Sequence, residues 1–165
     1  MSKTLKFDLL ENGVDYLLSG VEHLNAKEAR SHKYAILHLA AGVELILKHV
    51  IKEEHWSLLF EDPSKANKSN LDTGDFKSIE FESIWNRLKN VCGIDIGQSD
   101  HLTLKSLRNL RNRIQHFNVD INILAVRAEC SQVLAFLLGF IDNEVDITGQ
   151  SESAKTDLAI FSKKD

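Results

Sequence analysis

Apolar residues recur at intervals of three and four along most of this 165-residue chain, and this spacing constrains the fold more than any other feature. Residues three and four apart lie on one side of an α-helix, so the spacing predicts amphipathic helices. The chain contains a single proline, which leaves long helices uninterrupted. We therefore expect an all-α protein, an up-and-down bundle of four or five helices.

The first two predicted helices differ in how much of their surface is apolar. The first runs from Leu5 to Asn25 and has one apolar side, which begins with Phe7. The second runs from Glu28 to about Leu59, and between Ala35 and Ile51 it is apolar on nearly every side. A helix of that kind is normally the buried centre of a bundle.

The middle of the chain is richer in polar and turn-forming residues. These residues fill the segment from Glu61 to Asp75, which predicts a mobile loop. A short helix with Ile84, Trp85 and Leu88 on its apolar side is expected to follow. Gly93 is expected to stop that helix.

Two further helices complete the predicted bundle. Ser99 or Asp100 is expected to cap the first of them. The inward stripe of this helix is Leu104, Leu107, Leu110, Ile114 and Phe117. The closing helix is expected from about Asp120 to Asn143, with an apolar inward side. We thus expect one helical domain over residues 1–145 and a polar, flexible tail over residues 146–165.

The overall composition is that of a soluble globular protein, with 43% hydrophobic residues, 27% charged residues and a net charge of −4. The basic overall charge that often marks a nucleic-acid binder is lacking. Charge is nevertheless uneven, because the segment from Lys105 to Arg113 contains four basic residues and no acidic one. Any contact with nucleic acid is therefore expected to be a local patch.

Signals for targeting and for metal binding are weak in this sequence. The first residues lack the apolar core of a secretion signal, and the apolar run from Val133 to Ile141 is too short to span a bilayer. Cys92 and Cys130 do not form a metal-type pair, and the histidines complete no known metal spacing. We expect a cytoplasmic protein with reduced thiols, no metal, no cofactor and no membrane contact.

The segment from Arg108 to His116 holds three arginines, two asparagines and one histidine. Arg108, Asn112 and His116 are spaced i, i+4 and i+8, so they lie on one side of the predicted helix. An arginine grips phosphate through its planar fork, and a histidine exchanges a proton near neutral pH. Together these side chains could bind an RNA phosphate and cleave the chain beside it.

This segment resembles the signature of the HEPN superfamily, an arginine followed by a histidine after four to six residues. Arg111 and His116 match it with four residues between them, and Asn112 matches the polar residue that commonly follows the arginine. The segment Ala41–Lys48 resembles the upstream helix of these families, which carries Glu-x-x-x-Lys. The resemblance spans about Leu5 to Asn143.

The resemblance implies a metal-independent endoribonuclease that acts as a homodimer, in which the motif helices of two protomers form a composite cleft. His116 would transfer protons and Arg111 would stabilise charge on the phosphate. Because one histidine cannot easily be both acid and base in one step, the second copy would supply the other. The expected product is a 2′,3′-cyclic phosphate. The implied site comprises catalytic Arg111, Asn112 and His116, substrate-binding Lys105 and Arg108, and cleft-supporting Glu44 and Lys48.

The resemblance also implies a role in a toxin–antitoxin pair or in defence against phage, with tRNA or mRNA as substrate and an antitoxin protein as a second partner. Some members have lost catalysis, so a silent module that binds RNA, nucleotide or a partner protein is an alternative. A dimeric scaffold with a fortuitous motif is another. Glu44 and Lys48 could form only an intrahelical ion pair, and Arg113 could lie only on a solvated side.

Overall fold

The structure, a computed structural model, describes residues 3–163 and is all-α over that range. It contains seven α-helices in this part of the chain, where the sequence predicted four or five. The α-helices are α1 (Leu9–Asn25), α2 (Ser31–Glu54), α3 (Lys68–Thr73), α4 (Phe81–Asn90), α5 (Gln98–His116), α6 (Ile123–Glu144) and α7 (Glu152–Lys163). Two 3₁₀ helices lie at Trp56–Leu59 and Pro63–Lys65.

The helices belong to two compact units. The first unit joins the described parts of Met1–Ile46 and Gln98–Asp165, and the second unit is Leu47–Gly97. The first unit contains α1, α5, α6 and α7 with most of α2. The second contains the end of α2, both 3₁₀ helices, α3 and α4. The first unit is therefore built from two separate stretches of sequence.

A capping box fixes the start of α1 at Leu9, four residues later than predicted. The Asp8 carboxylate accepts from the Glu11 N–H at 2.8 Å, and the Glu11 carboxylate accepts from the Asp8 N–H at 3.0 Å. These reciprocal bonds satisfy two amide groups that have no partner inside the helix. Phe7 lies before the helix and is 45% exposed, so its predicted place on the apolar side of the first helix was wrong.

Glycines bring α1 and α2 into close contact within the first unit. A Cβ placed on Gly42 of α2 would lie 2.4 Å from Cδ2 of Leu17 and 3.1 Å from the carbonyl oxygen of Gly13. A Cβ placed on Gly20 of α1 would lie 2.8 Å from Cδ2 of Leu39. The two helices therefore pack with side chains of one against the backbone of the other.

The middle of α2 is buried as the sequence predicted. The helix ends at Glu54 rather than Leu59, and the 3₁₀ helix Trp56–Leu59 takes over the last predicted turn. The buried apolar residues of α2 are Ala35, Ile36, Leu39, Val43, Ile46, Leu47, Val50 and Ile51. Apolar residues on several sides of one helix identify it as a core element.

The C-terminal segment is a helix packed on α1 over its described residues, so the predicted flexible tail over 146–165 was wrong there. Ala154, Leu158 and Phe161 of α7 are buried. The Ser151 hydroxyl, just before α7, donates to Oε1 of Glu11 at 2.5 Å. This helix could have been predicted from the sequence, because its buried positions follow i, i+4 and i+7 spacing.

The segment Glu61–Asp75, predicted as a loop, contains the 3₁₀ helix Pro63–Lys65 and α3. Arg87 of α4 organises its start, since its guanidinium donates to the carbonyls of Leu58, Phe60 (2.6 Å) and Glu61 (2.7 Å). One cation thus satisfies three carbonyl groups at a turn.

Gly93 ends α4 as predicted. The helix stops at Asn90, and Gly93 follows with a φ of 71°, in the left-handed region that favours glycine. The Ile94 N–H then donates to the carbonyl of Leu88 at 2.8 Å, which satisfies one of the last helical carbonyls.

Asn122 caps α6, so this helix starts three residues later than predicted. Its side-chain oxygen accepts from the N–H groups of Leu124 at 2.8 Å and Ala125 at 3.3 Å.

By length and composition, α2 and α6 are both apolar enough to cross a membrane. In α2, 56% of that apolar window is buried within the protein, whereas in α6 only 28% is. The large apolar residues that α6 exposes are Ile123 and Leu124, both in its first turn.

Candidate functional site on α5

Four leucine and isoleucine side chains anchor α5 in the first unit. They are Leu104, Leu107, Leu110 and Ile114, all buried as predicted. The helix already begins at Gln98, so neither Ser99 nor Asp100 lies in the predicted capping position. It ends at His116, and Phe117 is 75% exposed. The predicted inward position of Phe117 was wrong, because the residue lies beyond the helix that would have directed it inward.

Arg111 and Asn112 are joined by a side-chain hydrogen bond. The Nη1 group of Arg111 donates to Oδ1 of Asn112 at 2.9 Å. Both residues are half-buried. A guanidinium has five N–H donors, so this single bond leaves most of them for a bound anion. The asparagine therefore restricts where the guanidinium points without neutralising its charge.

His116 is exposed at the last position of α5. With 3.6 residues per turn, the five-residue step from Arg111 to His116 turns the helix by about 140° and advances about 7.5 Å along its axis. The two side chains thus leave α5 in different directions, with Asn112 between them around the helix. One copy of α5 presents the histidine and the arginine on neighbouring sides rather than on one.

The other basic residues of α5 surround this pair. Arg108 is half-buried and lies one turn before Asn112, whereas Lys105 is exposed one turn earlier. Arg113 is exposed and lines a cavity between α5 and α6. Lys105 and Arg108 therefore extend the side of α5 that carries Asn112, and Arg113 lies elsewhere.

Glu44 and Lys48, predicted to support the cleft, belong to different units. Glu44 is a half-buried residue of the first unit. Lys48 is a half-buried residue of the second unit, where its ammonium donates to the Ser78 hydroxyl at 3.1 Å. This bond gives Lys48 a structural role in holding the segment that precedes α4.

A second histidine lies on the same side of α5 and was not selected from the sequence. His101 is half-buried and precedes His116 by fifteen residues. The intervening helix separates them by about 22 Å, at 1.5 Å of rise per residue. One phosphate cannot contact both imidazoles of one copy, so His101 does not supply a second proton-transfer group to the His116 of its own chain. Its position could have been found from the i, i+4, i+7 spacing of residues 101, 105 and 108.

Exposed apolar side chains follow the motif directly. Phe117 and Leu124 are each 75% exposed, and Val119 and Ile123 are exposed as well. Where such side chains form one continuous exposed patch, the patch marks a contact site for other molecules. The motif histidine is therefore followed closely in sequence by exposed apolar residues.

No group of three or more His, Cys, Asp or Glu residues is arranged to hold a metal ion within residues 3–163. The Cys130 thiol is buried in α6, and this burial raises its pKa to about 12. A thiol with that pKa remains protonated near neutral pH and is a poor metal ligand. The predicted site residues on α5 offer guanidinium, amide, imidazole and ammonium groups.

Comparison with known proteins assigns neither a family nor a function to this site. No family model matches the chain, and no curated protein or solved structure matches it. The class that the fold defines is that of all-α helical bundle proteins.

Proposed function

We propose that this protein is a metal-independent endoribonuclease of the HEPN type, in which two copies of α5 form one site. The observation that carries the proposal is the pair of half-buried Arg111 and Asn112, joined at 2.9 Å, one turn before an exposed histidine. A restrained guanidinium suits a phosphate, and an exposed imidazole suits proton transfer to a long substrate.

The proposed reaction uses the 2′-hydroxyl of the RNA as nucleophile. One His116 takes the 2′-hydroxyl proton while the 2′-oxygen forms a bond to phosphorus. The bond between phosphorus and the 5′-oxygen breaks, and the His116 of the second copy gives that oxygen a proton. Arg111 donates to the phosphate oxygens as negative charge develops on them, with Arg108 and Lys105 binding flanking phosphates. The products are a 2′,3′-cyclic phosphate and a 5′-hydroxyl end.

Two observations support the participation of a second copy. His116 and Arg111 leave one helix about 140° apart, so a facing copy can bring the missing group to each side. The exposed apolar residues Phe117, Val119, Ile123 and Leu124 follow His116 closely in sequence, and a second copy would cover them. Burial of these residues would place the two histidines near one another.

Cleavage of total RNA in the presence of EDTA is the direct test. The wild-type protein should cut, and His116→Ala should not, while the matched variant of the neighbouring exposed residue, Gln115→Ala, should cut normally. Replacing Arg111 by Lys keeps the charge but removes the fork, so the rate should fall by about 10²–10³. Equal cleavage by wild type and His116→Ala would reject the assignment.

Mixed dimers test whether both histidines act in one site. A dimer of one wild-type and one His116→Ala copy, purified through two different tags, should be nearly inactive. If each copy acted alone, the mixed dimer would retain half of the wild-type rate. Protein that is monomeric while cutting RNA would also contradict the composite site. RNA binding without cleavage would instead indicate a silent binding module.

The proposed biological role is that of a toxin or phage-defence factor in the cytoplasm, with tRNA or mRNA as substrate and an antitoxin as partner. The role follows from the proposed ribonuclease activity, since uncontrolled RNA cleavage stops growth. Expression of the wild-type protein in bacteria should therefore arrest growth, and expression of His116→Ala should not. Growth arrest by both proteins would argue against a role of RNA cleavage in toxicity.

A further inference from the structure

A cavity of about 230 Å³ lies between α5 and α6 in the first unit. Ser106, Asn109 and Arg113 line it from α5, at spacings of three and four that place them on one side of the helix. This side differs from the one that carries Arg108 and Asn112. The cavity thus lies on a different side of α5 from the candidate site.

One carboxylate oxygen of Glu129, a half-buried residue of α6 that lines this cavity, has no hydrogen-bond partner in the described part of the chain. This atom, Oε1, is buried and accepts no hydrogen bond from any residue that the structure describes. A carboxylate oxygen that is shielded from water and lacks a donor is costly, so such oxygens normally have a partner. The missing donor is best supplied by a positively charged N–H group, because hydrogen bonds to an ionised partner are the stronger ones.

Arg113 lines the same cavity from the facing helix. Its side chain is exposed, and no described residue forms an ion pair or a side-chain hydrogen bond with its guanidinium, Glu129 included. A guanidinium with all its donors unused is suited to a carboxylate. The cavity therefore presents a group for a cation on one wall and a group for an anion on the other.

We propose that this cavity binds a small zwitterion of the free amino-acid class, whose ammonium group contacts Glu129 and whose carboxylate contacts Arg113. Cavities for drug-sized ligands measure about 300–1,000 Å³, so a volume of about 230 Å³ fits a smaller molecule. Ala125 and Val126 give the cavity a short apolar wall, which suits an aliphatic segment between the two charges. The site is independent of RNA cleavage, since it uses neither Arg111 nor His116.

A ligand series of increasing length tests this proposal with the full chain. Glycine, β-alanine and γ-aminobutyrate carry both charges at growing separation, and propylamine and propionate each carry one. We expect one member of the series to shift the amide resonances of residues 106–113 and 125–129 in a saturable titration. The two singly charged compounds should bind at least about tenfold more weakly, because each leaves one charged group unpaired.

Two variants separate specific binding from other effects. Glu129→Gln removes the charge but keeps the shape of the side chain, and Arg113→Gln removes the charge of an exposed residue. Each variant should weaken ligand binding by roughly ten- to hundredfold. The matched controls Glu144→Gln, on an exposed part of α6, and Arg30→Gln, on an exposed turn, should bind like wild type. Arg113→Gln keeps the test valid even if Glu129→Gln is poorly folded.

Three results would overturn the proposal. These are the absence of any saturable shift up to millimolar ligand, equal binding of propylamine or propionate, and unchanged binding by both cavity variants.

Discussion

The contact between α1 and α2 predicts that two alanine substitutions of helical glycines have opposite effects. In an exposed helix interior, replacing Gly by Ala stabilises by about 1 kcal/mol, because alanine loses less backbone entropy. Gly139 of α6 is such a position, since a Cβ there would have no neighbour within 4 Å. Gly139→Ala should therefore raise the free energy of unfolding by about 1 kcal/mol.

Gly42→Ala should lower the stability despite the same gain in helix propensity. The new Cβ would lie 2.4 Å from Cδ2 and 2.8 Å from Cγ of Leu17, where carbon atoms normally stay about 3.5–4.0 Å apart. Leu17 is fully buried, so it cannot move aside without displacing other core residues. Overpacking of this kind costs about 1–3 kcal/mol, which leaves a net loss of about 0–2 kcal/mol after the propensity gain.

The measurement is urea unfolding of both variants and wild type, followed by circular dichroism at one protein concentration. Gly139→Ala should be more stable than Gly42→Ala by about 1–3 kcal/mol, with similar dependence on denaturant. If Gly42→Ala were as stable as Gly139→Ala, the close packing of α1 against α2 described above would be incorrect.

Three further outcomes follow from single side chains. Arg87→Met should destabilise the protein by about 2–3 kcal/mol in urea unfolding, because three carbonyls lose a charged donor. Iodoacetamide should alkylate the half-buried Cys92 before the buried Cys130, whose raised pKa disfavours the thiolate; mass spectrometry showing the reverse order would contradict this. The Ser151 hydrogen bond lowers the pKa of Glu11, so its stabilisation exists at neutral pH and is lost as the pH falls through that lowered pKa. Glu11→Gln should therefore destabilise at pH 7 and have no effect in strong acid.

Local spacing predicted those parts of the fold in which each helix carries its own apolar stripe. The buried middle of α2 and the stripe of Leu104, Leu107, Leu110 and Ile114 follow from it directly. The segment after Glu61 was not predictable in this way, because contacts from distant residues organise it. Arg87 satisfies the carbonyls at its start, and Phe76 stacks on Phe60 with ring centroids 4.1 Å apart.

Local spacing also fails to predict where helices end and how the side chains of the candidate site are arranged. The helical spacing predicted that Phe117 is buried, because spacing alone does not show that the helix stops at His116. The positions of Arg111, Asn112 and His116 along one helix were predicted from the sequence. The 2.9 Å hydrogen bond between Arg111 and Asn112 and the partial burial of these two side chains were not predicted, because they depend on the rotamer of a long side chain and on the surrounding helices.

The contact of α7 with α1 has a consequence for synthesis of the chain on the ribosome. Glu11 and Ser151 are 140 residues apart, so the side of α1 that α7 covers stays uncovered until almost the whole first unit has been made. At about 5–20 residues per second, this interval is about 7–28 s. The continuous second unit, Leu47–Gly97, leaves the ribosome well before that. A chaperone that binds apolar helices during translation would thus have this whole interval in which to bind that side of α1.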